Sequence, residues 1–440
     1  MKFYNRESEL DELKRIQNLS FNDFSRMTVV TGRRRIGKTS LVMKSVENTP
    51  TVYLFVGRKN EATLCAEFVP VIAGSLDTYV PEGIQSFKSL FQYLMELATQ
   101  RSFNLVIDEF QEFYNVNEAV FSDMQNIWDS YRKRTRMNLI ISGSVYSLMQ
   151  KIFQNSKEPL FGRADNIIKL SAFDIKTLKE IMHDYYPEYI NDDLLAFYTF
   201  TGGIPKYIEL FCDNGKLNVD GMIEFMVREN SSFTEEGKNL LIEEFGKNYA
   251  TYFSILSAIS GGINTQPKIE SILGNKSIGG QLKRLIEDYK IIVRQRPVFS
   301  KEGTQAVRYE IQDNFIRFWF NYFDRHRSLI EIKNFQGLRN IIKTDYPTYT
   351  GIMLERWFKQ KLAESMQFRE IGSWWEPKNE QYEIDILALK LEKNQAFVAE
   401  VKRHKKNFKP DLLAAKVEHL KHKVLAKYTI ENGFLSLEDM

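Results

Sequence analysis

Short apolar runs alternate with helical repeats through the first 170 residues of the chain. The stretches 27–31, 51–56, 103–107 and 138–141 are rich in β-branched and aromatic residues and lack polar alternation. That is the pattern of strands covered on both faces. Between them, 40–46, 62–73, 86–99 and 119–132 read as helices, and Leu10, Leu13 and Ile16 repeat at helical spacing before the first strand. Strand–helix alternation predicts an α/β fold with a parallel sheet. A further strand is expected at 166–170. From 172 to 230 the pattern is helical throughout. Helices at 254–259, 267–273 and 278–289 precede two short runs, 291–294 and 308–311. Three helices and a hairpin predict a winged helix. Residues 315–323 are too aromatic to be exposed. Near the end, 351–358 reads as a helix, 383–388 alternates polar and apolar positions as a strand, and 392–395 turns into a return strand, 396–402.

Chemistry enters where the first strand ends. Gly32, Arg33, Arg34, Arg35, Ile36, Gly37, Lys38 and Thr39 place two glycines around a four-residue gap, followed by Lys and a hydroxyl residue, with Ser40 next. A strand before and a helix after are the setting in which this pattern wraps phosphates with backbone N–H groups. Lys38 is expected to reach the terminal phosphates of ATP, and Thr39 to hold Mg²⁺. The run 103–107 ends in Asp108-Glu109. Asp108 is expected to complete the Mg²⁺ station and Glu109 to orient and deprotonate the attacking water. The strand at 138–141 ends in Ser142-Gly143-Ser144, and either serine could sense the γ-phosphate. Arg163, ahead of the strand at 166–170, is a candidate arginine finger, acting in cis or from a neighbouring copy. Gly202-Gly203-Ile204-Pro205 makes a tight turn with Pro205 near a helix start, suited to a helical lid over the nucleotide.

Composition narrows the classes. The chain has 440 residues, 43% hydrophobic and 27% charged, so several cores are needed and a soluble globular protein is expected. A net charge of +3 excludes a globally basic coat and leaves local basic patches open. Cys65 and Cys212 form no zinc pattern and fit a reducing cytoplasm. No apolar run approaches the ~20 residues of a membrane span, and no signal peptide is expected.

The C-terminal strands carry a second constellation. Asp385 lies on one strand. Glu400 and Lys402 share a face of the next by period-two spacing. Two carboxylates could hold Mg²⁺, with Lys402 stabilising charge at a phosphodiester and Glu355 on the preceding helix as a further metal ligand. The basic run at Lys402, Arg403, His404, Lys405, Lys406 and Lys409 suits a phosphate backbone. In the winged helix, Lys283, Arg284, Arg294 and Arg296 are the candidate contacts to DNA phosphates.

The ordered set Asn5-Arg6-Glu7-x-Glu9-Leu10, the phosphate loop, Ile107-Asp108-Glu109-Phe110-Gln111, Ile141-Ser142-Gly143-Ser144, Pro159-Leu160-Phe161-Gly162-Arg163 and Gly202-Gly203-Ile204-Pro205-Lys206-Tyr207 resembles the archaeal-type ATPases. These are AAA+/STAND-like phosphate-loop NTPases. The resemblance implies ATP binding and hydrolysis, with the strand at 138–141 inserted between the acidic strand and the phosphate-loop strand. The Asp385…Glu400-x-Lys402 set resembles the restriction-endonuclease-like PD-(D/E)xK superfamily, with Ile384 in place of its proline. The resulting expectation is four domains. An ATPase core spans 1–170, a helical lid 171–245, a winged helix 246–325 and a nuclease-like α/β domain 326–440. The expected function is an Mg²⁺-dependent ATP switch, with a homo-oligomer as a candidate assembly, coupled to binding or cleavage of double-stranded DNA. Alternatives are a DNA-binding regulator with an inactive nuclease fold and a signalling ATPase with protein partners only.

Overall fold

The structure, a computed structural model, describes residues 1–246, 249–301, 303–304, 306–376 and 379–440. The chain divides into two compact units, Lys2–Ala172 and Phe173–Met440 together with Met1.

The first unit is built on five parallel strands: β1 (Arg26–Thr31), β2 (Thr51–Phe55), β3 (Phe103–Asp108), β4 (Met137–Gly143) and β5 (Asn166–Lys169). Their order across the sheet is β2-β3-β4-β1-β5, so β4 does lie between the acidic strand and the phosphate-loop strand. Every residue of β3 and β4 is buried. Helices on both faces explain why these strands read as unbroken apolar runs. Phe68, Phe87, Phe91, Phe110, Phe113, Phe121 and Trp128 fill one face as a continuous aromatic core. The helix Glu7–Asn22 carries the Leu10, Leu13 and Ile16 repeat and begins one turn ahead of it. Arg6, just ahead of it, is buried and donates to the Ser171 carbonyl at 2.7 Å, tying the two ends of the unit together.

The second unit begins with helices, among them Ile175–Tyr185, Asn191–Thr201 and Pro205–Asp213. Gly202 and Gly203 take positive φ values of 56° and 75°, and Pro205 opens its helix as expected. Helices Tyr249–Ser260, Gln266–Ile272 and Gly279–Glu287 then lead to the antiparallel pair β6 (Ile292–Gln295) and β7 (Arg308–Ile311). The aromatic run continues as helix Asn314–Phe318 and a short π-helix, Trp319–Asp324, buried through Phe323. A 30-residue helix, Phe335–Glu364, packs on a four-stranded mixed sheet ordered β11-β10-β9-β8. Its strands are β8 (Phe368–Glu376), β9 (Asn379–Lys390), β10 (Gln395–Val401) and β11 (Thr429–Leu435). β10 and β11 run parallel through helix Pro410–Lys423, and the other pairs are antiparallel.

The β6–β7 hairpin of the expected winged helix does not stand free of its surroundings. Its tip packs into the C-terminal core. The Val298 N–H donates to the Ser373 carbonyl at 3.0 Å, Val298 belongs to that core, and Phe299 meets Tyr428 edge-on at 5.6 Å. Arg308 pairs with Glu383 at 2.6 Å and lies over the Trp375 ring. An apolar tip residue gains more from burial than from a wet groove.

Candidate nucleotide and phosphodiester sites

The phosphate loop leaves the carboxyl end of β1. Gly32 must be glycine for space, because a Cβ there would lie 2.9 Å from the Leu170 carbonyl oxygen. Gly37 caps the helix Lys38–Ser45 at φ 88°, and Arg35 is left-handed at φ 69°. Left-handed residues of this kind let a loop turn successive N–H groups toward an anion. Ile36 is buried beneath the loop, whereas Arg34 and Ser40 are exposed. Lys38 is buried, and its Nζ donates to the Gly32 and Arg33 carbonyls at 3.0 and 3.1 Å.

Thr39 Oγ1 donates to Asp108 Oδ2 at 2.9 Å. Residues 69 apart in sequence therefore meet. Asp108 is saturated with donors. Tyr53 on β2 shares Oδ2 at 2.7 Å, while the Ser142 hydroxyl and the Glu109 N–H bond Oδ1. Burial opposes ionisation of Asp108, but the bonds from Ser142, Tyr53, Thr39 and the Glu109 N–H outweigh it and hold the carboxyl below its ordinary value. Tyr53, desolvated and beside that carboxylate, is pushed well above its own. An ionised carboxylate against a threonine hydroxyl is a hard-oxygen donor set that fits Mg²⁺.

Glu109 sits at the end of β3 with φ 53°, uncommon for a residue with a side chain. Its Oε2 accepts from Gln111 Nε2 and, at 2.7 Å, from the Ser144 hydroxyl. The two serines thus divide the acidic pair, Ser142 on Asp108 and Ser144 on Glu109. Sequence reading did not single out Tyr53 or Gln111.

Arg163 lies elsewhere. It precedes β5, at the amino edge of a parallel sheet whose carboxyl edge carries the phosphate loop. A six-residue strand spans about 20 Å. Its guanidinium pairs with Asp129 at 3.1 Å and donates to the Phe161 carbonyl. A cis finger is therefore not what this geometry builds. Pro205 belongs to the second unit.

In the second unit, Asp385, Glu400 and Lys402 do converge. Lys402 Nζ lies 3.2 Å from Asp385 Oδ2 and from Glu400 Oε2, and the Val401 N–H donates to Asp385 at 2.8 Å. Burial disfavours the charged amine, yet the Asp385 and Glu400 carboxylates raise its pKa. Lys416, on helix Pro410–Lys423, adds a 2.7 Å bond to Glu400 Oε1. Glu355 stands near Asp385. Burial, and then the Asp385 charge, push its pKa up to about 7, against the opposing pull of Lys359 and Lys402. Among the described residues no three carboxylate, His or Cys side chains close into a metal cage. The three expected ligands, Glu355, Asp385 and Glu400, are compensated by lysines instead. Arg403 is not part of a phosphate-facing surface: it pairs with Asp192 at 2.9 Å. Arg284 is engaged by Tyr252, and Lys283 stands 3.7 Å from Glu287. Arg294 is exposed and Arg296 half-buried.

Residues 3–211 match a family described as an ATPase domain predominantly from Archaea. Residues 319–414 match archaeal and bacterial proteins of unknown function. The chain is 32% identical over 411 residues to the uncharacterized protein MJECL04 of Methanocaldococcus jannaschii, covering 91% of this chain and 87% of that one. The chain belongs to this archaeal ATPase family. Among solved structures, the fold of this family member is similar to the Walker-type ATPase PABY2304 of Pyrococcus abyssi. That match has 19% identity and a TM-score of 0.52, over 72% of this chain and 96% of that one. The ORC2 protein of Aeropyrum pernix matches at 12% identity and a TM-score of 0.48, over 78% and 96%. Family membership carries nucleotide use by the first unit. No described helix of the ATPase is long and apolar enough to cross a membrane.

Proposed function

We propose that this protein hydrolyses ATP with Mg²⁺ at the carboxyl edge of the first unit's sheet. The contact between the Thr39 hydroxyl and the ionised Asp108 carboxylate carries the reading. It joins the phosphate loop to the acidic strand where a hard cation between them would be held. Lys38 would exchange its loop carbonyls for the β- and γ-phosphates. Thr39 and Asp108 would hold Mg²⁺, which when bound neutralises charge on the phosphates. Glu109 would take a proton from the attacking water. Arg163 could serve only a neighbouring copy's nucleotide. Asp108→Ala tests the reading. Phosphate release should fall at least ~100-fold and no longer respond to Mg²⁺ concentration. An unchanged Mg²⁺ response sinks it.

A second reading rests on the convergence of Asp385, Glu400 and Lys402. We infer a nuclease-like phosphodiester site within the proposed domain 326–440. The proposed winged helix, 246–325, would bring its exposed Lys283 and Arg294 to a duplex. A cation entering this site would displace Lys402 from its carboxylates. Plasmid nicking in Mg²⁺ or Mn²⁺ should be present in the native chain and lost in Asp385→Ala. Absence of nicking in both leaves the second unit a binding module.

A further inference from the structure

Gln111 is almost fully buried, yet its carbonyl Oε1 has no hydrogen-bond partner among the described residues. An orphaned buried acceptor is costly, and a fold retains one where something else fixes the group. What fixes it here is the other end of the same amide. Nε2 donates to Glu109 Oε2, and the carboxylate's charge settles which end faces it.

The surroundings are shaped for this arrangement. Gly143, the last residue of β4, has no positive φ and is glycine for space alone. A Cβ there would overlap Gln111 Oε1 and Met149 Sδ. The next residue, Ser144, supplies the second donor to the same Glu109 oxygen. Glu109 itself is held in a left-handed conformation that costs energy without surrounding restraint. Both donors act on Oε2. Glu109 Oε1 accepts no bond from the described residues. The basic lone pairs of Oε1 therefore stay available, while rotation of the carboxylate is blocked.

We propose that Gln111 is a positioning residue for Glu109. With Ser144 it clamps one carboxylate oxygen so that the other is presented to the attacking water, and Gly143 is the space that admits the clamp. The inference rests on Glu109 serving as the base.

The test compares Gln111→Leu, Glu109→Gln and the double variant in the full chain. It uses steady-state ATP hydrolysis together with equilibrium binding of a fluorescent ATP analogue. Gln111→Leu should lower kcat roughly 10- to 100-fold, a part of what a placed base contributes, with analogue affinity within about twofold. Adding Gln111→Leu to Glu109→Gln should cause no further loss, because the amide acts only through that carboxylate. Gly143→Ala, which pushes the amide aside without removing it, should reproduce the kcat loss at unchanged affinity. The clamp is overturned if Gln111→Leu keeps its kcat. It is also overturned if Gln111→Leu weakens analogue binding in step with kcat, or lowers the residual rate of Glu109→Gln further. If Glu109→Gln alone keeps the native rate, the base assignment fails and the clamp with it, an outcome distinct from a silent Gln111 beside a damaging Glu109.

Discussion

Four donors converge on Asp108, two of them from the strands flanking β3: the Ser142 hydroxyl from β4 and the Tyr53 hydroxyl from β2. Hydrogen bonds to a buried carboxylate contribute more than neutral ones. Tyr53→Phe should therefore destabilise the first unit by about 1–2 kcal/mol in urea unfolding, although the ring remains packed. A change within ~0.3 kcal/mol would mean the bond contributes nothing measurable. The site's main residues were legible because each lies in a local motif. Lys38 and Thr39 follow the glycines, and Asp108-Glu109 end an apolar run. Tyr53 lies in no such motif, and Gln111, although inside the acidic one, carries no assigned role there. In an apolar run an aromatic residue signifies burial, and the destination of its hydroxyl depends on β2 lying beside β3. Arg163 shows the converse. Its sequence position fits a finger, but a parallel sheet sends the approach to β5 to the edge opposite the phosphate loop.

At the scale of elements, the long helix and the β6–β7 hairpin are joined by buried charges. Arg356 bonds Glu310 at 2.7 Å, the Ile311 carbonyl at 2.6 Å and Asn314 at 3.0 Å, with Arg317 3.5 Å from the same carboxylate. Burial raises the Glu310 pKa, but Arg356 and then Arg317 pull it below its ordinary value. A depressed carboxylate stabilises the fold above its unfolded pKa, and that stability is lost as pH falls through the folded value. Glu310→Gln should cost about 3–5 kcal/mol at pH 7, and the difference from the native chain should shrink below about pH 4. Tryptophan fluorescence during urea unfolding reads this unit well, since Trp319, Trp357, Trp374 and Trp375 all lie in it. A pH-independent difference would show that Glu310 is not ionised in the fold. The hairpin's existence was legible from its two short runs, 291–294 and 308–311. Its docking was not, because the partner strand β8 has exposed and half-buried positions that break the alternation. β11 is similarly half-exposed, and neither edge strand stands out in the sequence.

The whole molecule joins a nucleotide-using unit to a second unit in which Lys402 and Lys416 fill the Asp385–Glu400 carboxylate cluster. The family match covers 3–211, and a relative follows the chain through 91% of its length, so the two halves occur together in another protein. On the proposed reading, ATP turnover in the first unit would switch a phosphodiester output in the second. All of this depends on the phosphate loop being catalytic. Lys38 is buried, with its amine held by two loop carbonyls that a triphosphate would replace. The direct measurement is Mg²⁺-dependent phosphate release from ATP by the full chain and by Lys38→Ala. The account predicts turnover in the native chain and a loss of at least ~100-fold in the variant. A variant that hydrolyses ATP at the native rate would contradict it.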